Sequence, residues 1–172
     1  TARPLGYSLT VRAVWQEELS GKPLTESLGA GVHPAPIDAI GPCLARLHAA
    51  DLPMQKTVTR AARLADARKK SHKLAHWLPE LTDELGAIIT GAQSELAVLP
   101  HAQETVIHGD LHLGQFLITD TGALALFDFD EWSRGDPAQD LADLIVDPHV
   151  NQFALGKAKT NRILSSGVAY LL

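Results

Sequence analysis

Between residues 108 and 130 the sequence gathers polar groups able to do chemistry: His108, Asp110, His112 and Gln115 within HGDLHLGQF, then Asp128 and Asp130 within LFDFD. A loop carboxylate such as Asp110 can take a proton from a hydroxyl. A carboxylate and an amide oxygen brought to one place suit a hard, oxygen-preferring cation such as Mg²⁺. The flanking apolar runs Val106-Ile107, Phe116 to Ile118 and Leu124 to Phe127 have strand length, and Asp120-Thr121-Gly122 is a turn cluster. A hairpin turning at 120–122 returns the second strand beside the first, which predicts Asp128 close to Gln115 and leaves Asp110 apart, free to act as a base. Taken bare, the His-x-Asp-x-His triplet could be the metal site of a hydrolase and could equally be a satisfied polar turn. The remaining histidines, His33, His48, His72, His76, His101 and His149, share no ligand spacing and read as surface or capped residues.

Other elements must hold this loop. Leu9 to Glu17 (LTVRAVWQE) is β-branched and apolar over a strand-like length, and Ser20-Gly21-Lys22-Pro23 reads as the turn that ends it. Ile37, Ile40, Leu44 and Leu47 fall at the three-and-four spacing of an amphipathic helix over Pro34 to Ala50, punctuated by Asp51 and Pro53. Helical stretches are expected over Lys56 to Trp77 and Pro79 to Leu96. A well-signed helix start follows at Asp136-Pro137-Ala138-Gln139, with an N-cap aspartate, a proline at the first position and a glutamine at the third. The expected fold is therefore α+β and mostly helical, with a small β-hairpin carrying the catalytic and metal loops.

These residues carry a resemblance. The run from His108 to Gln115 is similar to the catalytic loop H-G-D-x-H-x-x-N of aminoglycoside phosphotransferases, choline kinases and related small-molecule kinases, and Asp128-Phe129-Asp130 resembles the acidic end of the strand that follows it. The resemblance implies a protein-kinase-like C-terminal lobe that uses ATP and Mg²⁺ to phosphorylate a hydroxyl of a small molecule. Asp110 and His108 are then the catalytic residues, with Asp110 as the base. Gln115, Asp128 and Asp130 are the metal-binding positions, with His108 and His112 as loop braces rather than ligands. Arg134 to Ala142 (RGDPAQDLA) matches the family's R-G-D-P-x-x-D-L-A, which makes Asp140 the brace of the catalytic loop backbone. Ile40 to Ala50 matches its L-x-x-L-H helix. Trp15 to Gly21 resembles the hinge between lobes, whose backbone at Glu17, Glu18 and Leu19 would meet adenine. Gln115 is one methylene longer than the family's asparagine, and the H-L-G-Q ending resembles the maltokinase-like branch.

The family's glycine-rich phosphate loop and strand lysine have no counterpart after Thr1, since Gly29-Ala30-Gly31 follows the hinge and lacks a strand-loop-strand setting. Residues 1–21 are thus expected to be the last strand and hinge of an N-terminal lobe and 22–172 a helical C-terminal lobe, a piece cut at both ends. Such a piece alone is expected to have low activity, with a non-catalytic remnant as the alternative. The tail ending soon after Tyr170 is short for the family.

Bulk composition narrows the field. A chain of 172 residues, 45% hydrophobic, can bury a core. Its net charge of -5 argues against a phosphate-backbone binder, and the one basic run, Arg68-Lys69-Lys70, reads as a solvated helix face. A lone cysteine, Cys43, within an apolar helical pattern, with no leader and no apolar stretch of spanning length, leads to a cytoplasmic expectation without a membrane partner. Seven acidic residues from Asp128 to Asp147, against Arg134 alone, make a negative field suited to Mg²⁺ or to a cationic acceptor. Trp132 stands where it could border that acceptor.

Overall fold

A computed structural model describes residues 3–11, 13–29, 35–100 and 103–150. Three expectations fall outside them: the 29–31 glycine segment beyond Gly29, the roles of His33 and His101, and the tail around Tyr170. In chain order the elements are β1 (Pro4–Ser8), β2 (Ala13–Gln16), β3 (Gly21–Pro23), α1 (Leu24–Gly29), α2 (Ala35–Asp38), α3 (Ile40–His48) and β4 (Thr57–Val58). They continue with α4 (Arg60–Trp77), α5 (Thr82–Val98), β5 (Thr105–Ile107), β6 (Phe116–Thr119), β7 (Leu124–Leu126), β8 (Ser133–Gly135) and α6 (Ala138–Val150). The mixed α and β architecture expected from the sequence is present.

The predicted hairpin forms. Phe116 pairs with Leu126 and Ile118 with Leu124, antiparallel, while the Gly122 amide donates to the Thr119 carbonyl across the turn. One side of this sheet rests on the core, which joins Leu24 of α1, Ile37 of α2, Ile40 and Leu44 of α3, Leu126 of β7, and Leu141 and Leu144 of α6. Leu111, Leu113 and Phe116 enter the same core from the run between His108 and Phe116 itself. Each such side chain contributes about 1.5–3 kcal/mol when withdrawn from water, so the core is also what holds the loop down.

Four expectations change. Leu9 to Glu17 is not one strand: the chain reverses at Leu9 to Val11, and β1 pairs antiparallel with β2. The Ser8 hydroxyl accepts the Val11 amide inside that reversal. A β-branched run reads as strand by propensity, yet propensity cannot locate a turn. Ser20 to Pro23 is not merely a linker either, because β3 lies along β6 with Gly21 opposite Thr119 and Pro23 opposite Leu117. A side chain at Gly21 would run into the Ile118 carbonyl, so this edge strand requires glycine. The helix expected from Lys56 begins instead at Arg60. Thr57–Val58 pairs in parallel with β8, and the Thr59 hydroxyl caps α4 by accepting the Ala62 amide at 3.1 Å. Finally, the glutamine expected to close a capping box at Asp136 does not. Asp136 does cap α6 through the Ala138 amide at 3.0 Å, while the Gln139 amide group turns to Arg63 and Gly109.

Among the described residues no helix is long and apolar enough to cross a membrane.

Candidate active site

The run that carries the chemistry alternates buried and exposed positions although it is not a strand. His108 is fully enclosed, Asp110 is exposed, Leu111 and Leu113 are buried, and Gln115 and Phe116 are buried again. The leucines pin the loop on either side of His112 and leave Asp110 at the surface immediately before them.

Its backbone is held from α6. The Asp140 carboxylate, with no exposed surface, accepts the His108 amide at 2.8 Å on Oδ2 and the Gly109 amide at 3.0 Å on Oδ1. The His48 Nε2–H donates to Oδ2 at 2.9 Å. A charged acceptor with three donors satisfies the demand that burial places on it, and each such bond is worth about 1.5–3 kcal/mol. Asp140 thus braces the loop as expected. His48 corrects the surface reading: it is buried at the end of α3, one turn beyond Leu44 and two beyond Ile40. That i, i+4, i+8 stripe was the signal in the sequence, since it places His48 on the core face.

Gly109 adopts φ +88, and a Cβ there would meet the Glu131 carbonyl, so no other residue fits between His108 and Asp110 without strain. The His108 Nε2 hydrogen-bonds the Phe127 carbonyl at 3.0 Å, which puts the ring proton on that nitrogen, and its ring lies 5.0 Å from that of Phe129. Of the two loop residues expected in catalysis, only Asp110 reaches the surface; the enclosed His108 ties the loop to the end of β7. His112 accepts the Gly114 amide on Nδ1 at 3.1 Å, a bond internal to its own turn. Both histidines spend a ring nitrogen on a bond within the loop or to the end of β7.

Gln115 and Asp128 meet. The Phe127 amide donates to the Gln115 carbonyl at 3.1 Å, carrying the β6–β7 pairing one step past β7, and the Gln115 Nε2 donates to Asp128 Oδ2 at 3.2 Å. Asp128 has φ 63, a left-handed conformation uncommon outside glycine and tolerated by aspartate. Asp130 is exposed on the following turn and is not bonded to this pair among the described residues. Trp132 is 41% exposed with its ring edge toward Phe129.

The Gln115 amide meets the Asp128 carboxylate through its nitrogen; turned over, its oxygen and that carboxylate would form a donor set of the kind Mg²⁺ prefers. Among the described residues no three His, Cys, Asp or Glu side chains gather into a ligand group. A histidine-based metal centre therefore has no support there. The three adenine-facing candidates lie directly ahead of β3. The Glu17 amide is committed to the Arg3 carbonyl at 2.8 Å, Glu18 is exposed and Leu19 is partly buried. The Ser20 carbonyl then accepts from Asp120 at 3.3 Å, which joins this segment to the sheet bearing Gln115.

Comparison with known proteins agrees with this geometry. The pattern of the phosphotransferase enzyme family matches residues 2–162. A choline/ethanolamine kinase family protein from Mesorhizobium loti superposes with a TM-score of 0.69 at 17% identity, over 97% of this chain and 55% of that one. The choline kinase LicA from Streptococcus pneumoniae gives 0.67 at 19% identity, over 96% and 55%. An aminoglycoside phosphotransferase from Streptomyces rimosus, solved with ADP and streptomycin, gives 0.62 at 21% identity, over 98% and 67%. The chain thus spans little more than half the length of the two choline kinase relatives, and these likenesses establish the protein-kinase-like fold.

Proposed function

The chain belongs to the phosphotransferase enzyme family, and on that premise we propose that its protein transfers the γ-phosphoryl group of ATP to a hydroxyl of a sugar, aminoglycoside or amino alcohol. The observation that carries this reading is Asp110: an exposed carboxylate whose preceding two amides are bound by buried Asp140 and whose following residue is sunk in the core. A carboxylate held that way can accept the acceptor's proton while orienting its oxygen for in-line attack.

Gln115 and Asp128, with Asp130 nearby, are the residues that would hold Mg²⁺. Bound there, the ion would supply charge neutralisation for the phosphates. The Gln115 backbone carbonyl is anchored by the Phe127 amide, and the longer side chain still ends against Asp128. Glu17 to Leu19 are assigned to adenine, in keeping with the nucleotide bound by the Streptomyces rimosus relative. His108 orients the loop without touching substrate.

The reading is tested by ADP release in the presence of Mg²⁺-ATP and a panel of hydroxyl acceptors from the three classes. Asp110→Asn should lower turnover by about 100-fold or more while leaving circular dichroism unchanged, the usual worth of a positioned base. Turnover that survives the substitution, or a protein that never binds Mg²⁺-nucleotide, would sink it.

A further inference from the structure

α4 and α5 pack on one another, yet neither contains a fully buried residue. Polar bonds from α4 tie this pair to the catalytic half. Arg60 reaches Asp136 at 2.6 Å and the Pro100 carbonyl at 2.7 Å. One turn along, Arg63 reaches the loop itself: Nη2 donates to the Gly109 carbonyl at 2.8 Å and Nε donates to Gln139 Oε1 at 2.7 Å. Gln139 completes the triangle, its Nε2 donating to the same Gly109 carbonyl at 3.3 Å.

That carbonyl belongs to the peptide plane shared with Asp110. Rotation of the plane turns the Cα–Cβ direction of Asp110, and Gly109, having no side chain, offers little resistance of its own. Asp140 holds the plane before it and the Arg63–Gln139 pair holds the plane after it, so the backbone is gripped on both sides of Gly109. Since a guanidinium is planar, the bond to Gln139 also fixes the direction in which Nη2 points.

We propose that Arg63, braced by Gln139, is a positioning residue for phosphotransfer: by holding the Gly109 carbonyl it sets the direction in which Asp110 meets the acceptor hydroxyl. This rests on the reading of Asp110 as the base. A lysine at 63 keeps the charge and a single donor nitrogen but loses the fork that couples it to Gln139.

Arg63→Lys and Gln139→Met are the variants, each made in the full-length protein and compared with it by steady-state kinetics and by amide hydrogen exchange of residues 108 and 109. Both should lower kcat about tenfold, with KM for ATP and acceptor within about twofold, because a misaimed base weakens the transition state without weakening binding. Exchange at the His108 and Gly109 amides, both held by Asp140, should quicken about tenfold while that of Leu141 and Leu144 stays as it was. Unchanged kcat with unchanged exchange overturns the proposal. So does a rise in acceptor KM at constant kcat, which would make Arg63 a substrate contact. Should the full-length protein and its Asp110→Asn form be equally inactive, the phosphotransfer reading fails separately, and the exchange arm decides whether Arg63 holds the loop.

Discussion

Two aspartates one helical turn apart on α6 show how the surroundings of a carboxylate decide its use. Asp140 is buried with three donors and acts as an anchor. Asp143 is half-buried: burial pushes its carboxyl above the usual 3.8, the Arg63 charge opposes this, and Asp140 and Asp110 add to it. A raised folded-state value means that the native form binds more protons than the unfolded chain between the two titrations. Stability therefore falls as pH rises from the ordinary carboxylate value through the raised one. Asp143→Asn removes that loss, and its melting temperature should exceed the parent's near neutral pH. The gain should vanish in acid, where Asp143 is protonated in both states. Calorimetry across pH checks this, and a difference that does not vary with pH would contradict it. Cys43 follows the same rule, its thiol raised by burial, as suits a small apolar residue packed against the core.

Among the elements, β3 had the least expected part. It reads as punctuation because Gly and Pro dominate it, yet it forms the edge of the sheet that carries Gln115 and connects the segment at Glu17 to Leu19 to it. Pro23, at its end, closes the edge without needing an amide donor. The close approach of Gly21 to β6 supplies the test. Gly21→Ala should cost about 1–3 kcal/mol of stability, the usual range for overpacking, measured by denaturant titration. A neutral outcome would mean that β3 is not held against β6. The α6 start carries a similar lesson, because Gln139, placed where a capping glutamine belongs, spends its amide on Arg63 and Gly109.

Across the described residues, the core gathers α1, α2, α3, α6 and the β6–β7 hairpin around the loop that bears Asp110, while two parts stand outside it. One is the β1–β2 hairpin, whose Tyr7 is 73% exposed and Trp15 52% exposed; a two-stranded hairpin on its own is marginal. The other is the α4–α5 pair, tied down by Arg60 and Arg63 rather than by buried apolar side chains. Opening free energy follows burial, so the amides of α4 and α5 should exchange measurably faster than those of β5, β6 and β7 under native conditions. Equal protection across all of them would show that the chain unfolds as one unit. The proposed coupling through Arg63 runs between these two layers.

Residues 108–130 were legible because their geometry is short-range. A turn at 120–122 suffices to bring Gln115 to Asp128 and to leave Asp110 apart from them, whatever the rest of the chain does. The Asp136 cap and the apolar stripe of α3 were legible for the same reason, being repeats of a single helical turn. Other contacts join residues that no local pattern relates: His48 lies 92 positions from Asp140, and Arg63 46 positions from Gly109. Tertiary structure alone decided those, since whether a histidine or arginine on a helix faces water or a buried carboxylate or carbonyl depends on which surface packs against it. The sequence by itself determined the chemistry on offer in the loop; packing determined what holds Asp110 in place to use it.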